Sequence, residues 1–145
     1  LPVKNVVADL DPQDFYVGGS LLEVAVDPAH PVMAGMPAKA NVFVGQSPVF
    51  ATTEGFEGAA LAKYQEAGSP LLSGYLLGEE HINGYAAALG VRHADGHVIL
   101  IGFRPQWRGQ AFGTFRVLFN AALFHGENAA DSQGSKDFWS PPPER

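Results

Sequence analysis

The stretch His97-Val98-Ile99-Leu100-Ile101-Gly102-Phe103, then Arg104-Pro105-Gln106-Trp107-Arg108-Gly109-Gln110, then an apolar-rich run to Phe124, decides how this chain is read. Val98 to Ile101 are four consecutive apolar residues, three of them β-branched. Such a run predicts a strand buried on both faces. Pro105 lacks a backbone donor and disfavours helix at Arg104, so the strand should end there. Gly109 and Gly113 punctuate the loop that follows. Phe115, Leu118, Phe119 and Ala122 then fall at i, i+3, i+4 and i+7, one face of a helix over 114–124, with Thr114 as its N-cap, or Gly113 with Thr114 as the first residue. Arg116 and Asn120 lie on the polar side. The unit reads as a buried strand, a loop with two arginines, and a helix packing back across its sheet.

Moving outward, Asp95-Gly96 is a strong hairpin dipeptide between two apolar runs. It predicts that 85–92 and 97–103 pair antiparallel. Further upstream, Leu22, Val24 and Val26 alternate along a strand over 20–26. Residues 41–44 and 49–51 read as short extended segments around a Ser47-Pro48 turn. Residues 59–64 make a strand candidate whose alanines also permit helix. Residues 71–77 are apolar and interrupted by Gly74. Asp11-Pro12 should cap one helical turn that Gly18-Gly19 stops. Asp27 should cap a proline-rich turn over 27–37, with Met33 and Met36 tucked beneath it. Residues 1–10 read as a short helix or a strand remnant. Tyr64, Tyr75 and Tyr85 read as core-edge aromatics.

A chain of 145 residues predicts one domain, with about 70% of the unfolded surface buried on folding. Residues 1–125 form that α/β domain, with a mixed sheet, an antiparallel hairpin and a C-terminal helix. Residues 126–145 form a polar tail ending Pro141-Pro142-Pro143-Glu144-Arg145, disordered or docked on a partner, with Phe138 and Trp139 as apolar exceptions that dock on the domain or on a partner. Nine Lys and Arg against fifteen Asp and Glu leave no basic patch for nucleic acid. No apolar run approaches the roughly 20 residues of a membrane span. Cysteine is absent, which excludes disulfides, thiolate metal sites and a cysteine nucleophile. The start at Leu1 suggests a processed chain or a piece of a longer one.

Several of these residues resemble a known family. The run from Gly102 to Gln110, with Gly113-Thr114-Phe115 and Leu118-Phe119-Asn120-Ala121, is similar to the C-terminal end of bacterial zinc carboxypeptidase-like proteins. In that family a peptidase-like domain is followed by a class I glutamine amidotransferase-like domain. Gly19-Ser20-Leu21-Leu22, His30-Pro31 with Gly35-Met36-Pro37, and the run from Leu71 to Gly78 resemble the same domain. The resemblance implies the later part of a flavodoxin/amidotransferase-like domain, incomplete at its N-terminus. It also implies a secreted or periplasmic parent, a zinc metallocarboxypeptidase. The implied partners are the peptidase-like domain and the preceding half of this one, and zinc is implied for the peptidase domain alone.

The chemistry for bond breaking is not assembled in this chain. The histidines are His30, His81, His93, His97 and His125, with no His-x-x-Glu pair and no His-Glu-x-x-His helix. His93 and His97 flank the hairpin turn and read as solvated. His81 beside Glu79 and Glu80 reads as an exposed polar turn. No serine sits in a Gly-x-Ser-x-Gly elbow. The expectation is therefore a non-catalytic accessory or interaction domain without its own metal or cofactor. The alternative is a module binding an anionic or sugar ligand at the 104–110 loop. There Arg104 and Arg108 supply bidentate donors, Gln106 and Gln110 further polar groups, and Trp107 a ring face. That loop follows a strand end, where open α/β sheets bind ligands.

Overall fold

The computed structural model describes residues 1–124 and 134–143. Residues 125–133 and 144–145, with His125 and much of the expected tail, lie outside the described residues. The strands in chain order are β1 (Val3–Asn5), β2 (Tyr16–Val17), β3 (Ser20–Val26), β4 (Lys39–Val44), β5 (Phe50–Thr52), β6 (Gly58–Lys63), β7 (Leu71–Ser73), β8 (Leu76–Leu77), β9 (Ala86–His93) and β10 (Gly96–Ile101). Among the described residues one α-helix, α1 (Phe115–Leu123), follows them. The main sheet runs β1-β5-β9-β6-β3-β4, with β10 on β9 and β7 on β3, while β2 and β8 pair apart.

Every described ladder is antiparallel, where a mixed sheet was expected. The physical reason is the connections. Parallel neighbours need a long crossover, usually a helix, and no α-helix stands between the described strands. The expected hairpin forms, with His97 opposite Arg92 and Ile101 opposite Ala88. Its turn is displaced by one residue. Ala94 takes the positive φ (50°), and Gly96 joins the strand opposite His93.

Burial on both faces belongs to β9, not to β10. Residues 86–91 of β9 are buried throughout, whereas Val98 to Ile101 are half-buried. The run Ala86-Ala87-Ala88-Leu89-Gly90-Val91 is small enough for packed layers to approach from above and below. β9 also has β6 along it as well as β10, which itself pairs only with β9 among the described residues. β3 and β4 alternate as amphipathic strands should, burying Leu22, Val24, Val26, Val42 and Val44 in the main core. Met33, Met36 and Leu61 complete that core, as does the fully buried Tyr64.

A second apolar cluster, Phe50, Ala60, Ala86, Leu89 and Val91, lies apart from the first. Phe138 and Trp139 pack against it, so the described part of the C-terminal segment is laid on the domain itself. Trp139 Nε1 donates to the Gly84 carbonyl (2.8 Å). Asp27, 1% exposed, accepts from the Ser135 backbone N–H (2.5 Å) and Oγ (2.9 Å), and from the Ala29 N–H (3.1 Å). One carboxylate thus caps the proline-rich turn and anchors the segment that returns over the sheet.

The helix is turned the other way from its expected packing. Val117 is buried, and Ala121 and Phe124 pack on the core with it. The presumed polar side docks on the turn around Pro31–Met33. Arg116 donates to the Gly35 carbonyl (2.7 Å), and Asn120 to those of Val32 and Ala34 (3.1 Å each). Thr114 precedes the helix without capping it. Its hydroxyl faces the carbonyls of Pro105 (2.7 Å) and Ala111 (3.0 Å).

Tyr64 Oη has no hydrogen-bond partner among the described residues, and burial pushes its phenol above the ordinary value of 10.0. The folded state therefore keeps the proton while the unfolded chain loses it above about pH 10. The neutral phenol's contribution is fully present below that pH and falls by about 1.4 kcal/mol per pH unit above it. Tyr64→Phe should flatten this alkaline decline and match or exceed the parent's stability at pH 7 by up to about 1 kcal/mol, since it removes a buried unpaired hydroxyl. Urea unfolding from pH 7 to 11 reads both effects, and identical slopes would show that Oη is solvated.

Candidate functional site

The arginine loop begins where Gly102 leaves β10. The Arg104 N–H donates to the Phe43 carbonyl (2.9 Å), which ties the loop to β4. Its guanidinium donates through Nη2 to the Gly45 carbonyl (3.0 Å), and its Cζ lies 4.4 Å from the Trp107 ring centroid. Trp107 stacks on Phe43, centroids 5.4 Å apart at 9°. Arg108 takes a left-handed φ of 48°, which brings its guanidinium to 5.1 Å from the same indole. Each such cation–π contact contributes about 0.5–1 kcal/mol at an exposed site.

These rings border a cleft of about 260 Å³ floored by Gly18, Gly19 and Gly45, with Tyr16 on its far side. Arg104 and Trp107 line this cleft, and Arg108 reaches Trp107 from the loop. Gln106 is exposed before the turn Trp107–Gly109 and lines no part of the cleft. Gln110 belongs to a separate groove beside Phe112. The structure therefore brings three of the five expected residues together. The strand-end rule that favoured this loop applies to open α/β sheets and loses its force where the pairing is antiparallel.

Other candidate groups are engaged elsewhere. Ser20 Oγ donates to the Tyr75 carbonyl (2.7 Å) and accepts from the Tyr75 N–H (2.9 Å), which pins the chain between β7 and β8. Tyr75 itself is exposed, unlike the core-edge position expected of it. His30 is buried, with Nδ1 accepting from the Val32 N–H (3.2 Å). His81 lies on its exposed turn, 3.8 Å from the Glu80 carboxylate. His93 is exposed as expected, but His97 is not solvated. Both its ring nitrogens are buried without a partner among the described residues, and its ring meets Phe124 edge-on at 5.3 Å. The register sets His97 opposite Arg92 and His93 opposite Gly96. Among the described residues no group of three or more His, Asp or Glu could hold a metal ion. Nor, among them, is any helix long and apolar enough to cross a membrane.

The feature that sequence reasoning missed is the outer face of α1. Leu118 is 39% exposed, Phe119 62% and Leu123 71%, and Phe112 just before the helix is 75% exposed. Phe112 meets Phe115 edge-on at 5.4 Å, so the apolar surface continues across the helix start. The signal was present as a second apolar arc, Val117, Ala121 and Phe124. Periodicity does not say which of two arcs faces inward.

Fold and surface together define a small mixed α/β domain, an antiparallel sheet with one C-terminal α-helix, whose outer apolar arc is uncovered among the described residues. Comparison with family models, curated proteins and solved structures returns no match for this chain.

Proposed function

We propose that this chain is a non-catalytic, amidotransferase-like accessory domain of a secreted or periplasmic zinc carboxypeptidase-like protein, and that it works by packing against the peptidase-like domain. The zinc in this reading belongs to that domain. One observation carries the proposal: the apolar side chains of Phe112, Leu118, Phe119 and Leu123 stand exposed on and just before one helix. Contiguous apolar surface of this kind marks an interaction face. The anionic- or sugar-ligand alternative at the 104–110 loop has weaker support, because Arg104 already bonds the Gly45 carbonyl.

The test is coelution with, and titration against, the peptidase-like domain. Phe119→Asp should weaken binding at least about tenfold, the loss of one aromatic anchor. Arg108→Ala should leave it unchanged. Binding insensitive to Phe119→Asp, or self-association in place of binding, overturns the proposal. Loss of binding in Arg108→Ala transfers the function to the loop.

A further inference from the structure

A second groove, of about 510 Å³, opens where the returning C-terminal segment crosses the edge of the second apolar cluster. Its floor is Gly58 and Ala60 of β6. At Gly58 a Cβ would strike the Gly90 carbonyl oxygen, and φ is 152°, so the floor stays free of side chains there. Phe56 and Trp139 supply aromatic walls. Trp139 is fixed by its bond to Gly84, so that wall is already in place. The volume falls within the range of small-ligand sites, about 300–1,000 Å³.

The charges on the rim narrow the ligand. Arg92 and Lys136 both line the groove, and neither side chain makes an ion pair or hydrogen bond among the described residues. Glu57 lines it too. Among the lining residues two cations face one carboxylate, and the Asp27 carboxylate behind Ser135 is already taken up by the Ser135 and Ala29 donors, on a protein whose formal net charge is −6. That balance suits a monoanion with an apolar body and disfavours a polyanion, which the rest of the surface repels. Guanidinium and ammonium donors match a carboxylate, and the aromatic walls match a ring.

We propose that this groove binds an aromatic carboxylate, whether a free acylated amino acid or the C-terminal residue of a peptide. This inference does not depend on what covers α1. The probes are N-acetyl-phenylalanine, its neutral amide, and Gly-Gly-Gly-Phe with a free C-terminus. Binding is followed by calorimetry on the unaltered chain and by Trp139 emission in a Trp107→Phe background. The acid should bind and the amide should not. Arg92→Gln and Lys136→Gln should each weaken binding about fivefold, and Arg108→Gln should leave it unchanged. Binding of the peptide alone supports the groove and assigns the ligand to a chain end. Equal binding of acid and amide, no binding of any probe, or affinity indifferent to Arg92→Gln and Lys136→Gln overturns it. Phe119→Asp should leave these affinities unaltered, which separates failure here from failure of the docking surface.

Discussion

Gly102→Val is expected to cost about 3 kcal/mol or more, a large share of a small domain's stability. The reason is space, not backbone conformation, since φ at Gly102 is not positive. A Cβ there would strike the Pro48 carbonyl oxygen, come within 2.8 Å of the Ala87 oxygen, and lie 3.2 Å from Phe50 Cε2. Two of these neighbours are backbone and cannot rotate aside. The Gly102 N–H is itself bonded to the Ala87 carbonyl (2.8 Å), so the residue cannot retreat without breaking the extension of β10 along β9. Gly102→Ala already carries the clash and should lose most of the same stability. Gly113→Ala is the contrast. Its Cβ would meet nothing within 4 Å, and its φ is not positive. That change should be neutral or stabilise by about 0.4–1 kcal/mol through the unfolded chain. Urea midpoints at constant m-value decide it, and a Gly102→Ala variant within 1 kcal/mol of the parent would refute the packing argument. The same contact explains the loop. Close approach at Gly102 sets the chain so that Arg104, two residues on, reaches the carbonyls of Phe43 and Gly45.

What could be read from the sequence was local. The β9–β10 hairpin is announced by apolar runs either side of Asp95-Gly96, and it forms within one residue of its expected turn. β3 shows its alternation in Leu22, Val24 and Val26, and all three are buried. Asp11 caps its turn, with the Gln13 N–H donating to Oδ1 (2.8 Å), and Asp27 does the same for Ala29. What could not be read depends on residues distant in the chain. The order of β5, β6 and β9 rests on edge pairing between strands far apart in the chain, and composition says little about that. The orientation of α1 was lost because both of its arcs are apolar, and because Arg116 and Asn120 find backbone carbonyls to bond instead of water. The groove at Arg92 and Lys136 joins β9 to the C-terminal segment. Within a polar run, Phe138-Trp139 was its single visible trace.

Leu89→Ala carries the other large effect, about 3 kcal/mol, and it tests whether the C-terminal segment is part of the fold. Leu89 is fully buried on β9, with Ala60 of β6 and Leu100 of β10 opposite it in register. Its cluster partners Ala60 and Ala86 are short, so little can swing into the space it vacates. The cavity term should therefore persist and place the cost within the usual 2–5 kcal/mol range of such truncations. A change of this size could come from any core leucine, so position needs a second readout. Phe138 and Trp139 pack against the cluster that holds Leu89, whereas Leu22 belongs to the main core. In a Trp107→Phe background, Trp139 is the one remaining indole in the chain. Leu89→Ala should shift its native-state emission to the red as its seat loosens. Leu22→Ala, of similar cost, should leave it in place. Identical emission in the two variants would mean that the segment rests on Asp27 and Gly84 alone and gains nothing from the apolar cluster beneath it. Red-shifted emission confined to Leu89→Ala would establish that the second core includes the chain's last described aromatics, and hence that the groove beside them is a feature of the folded domain.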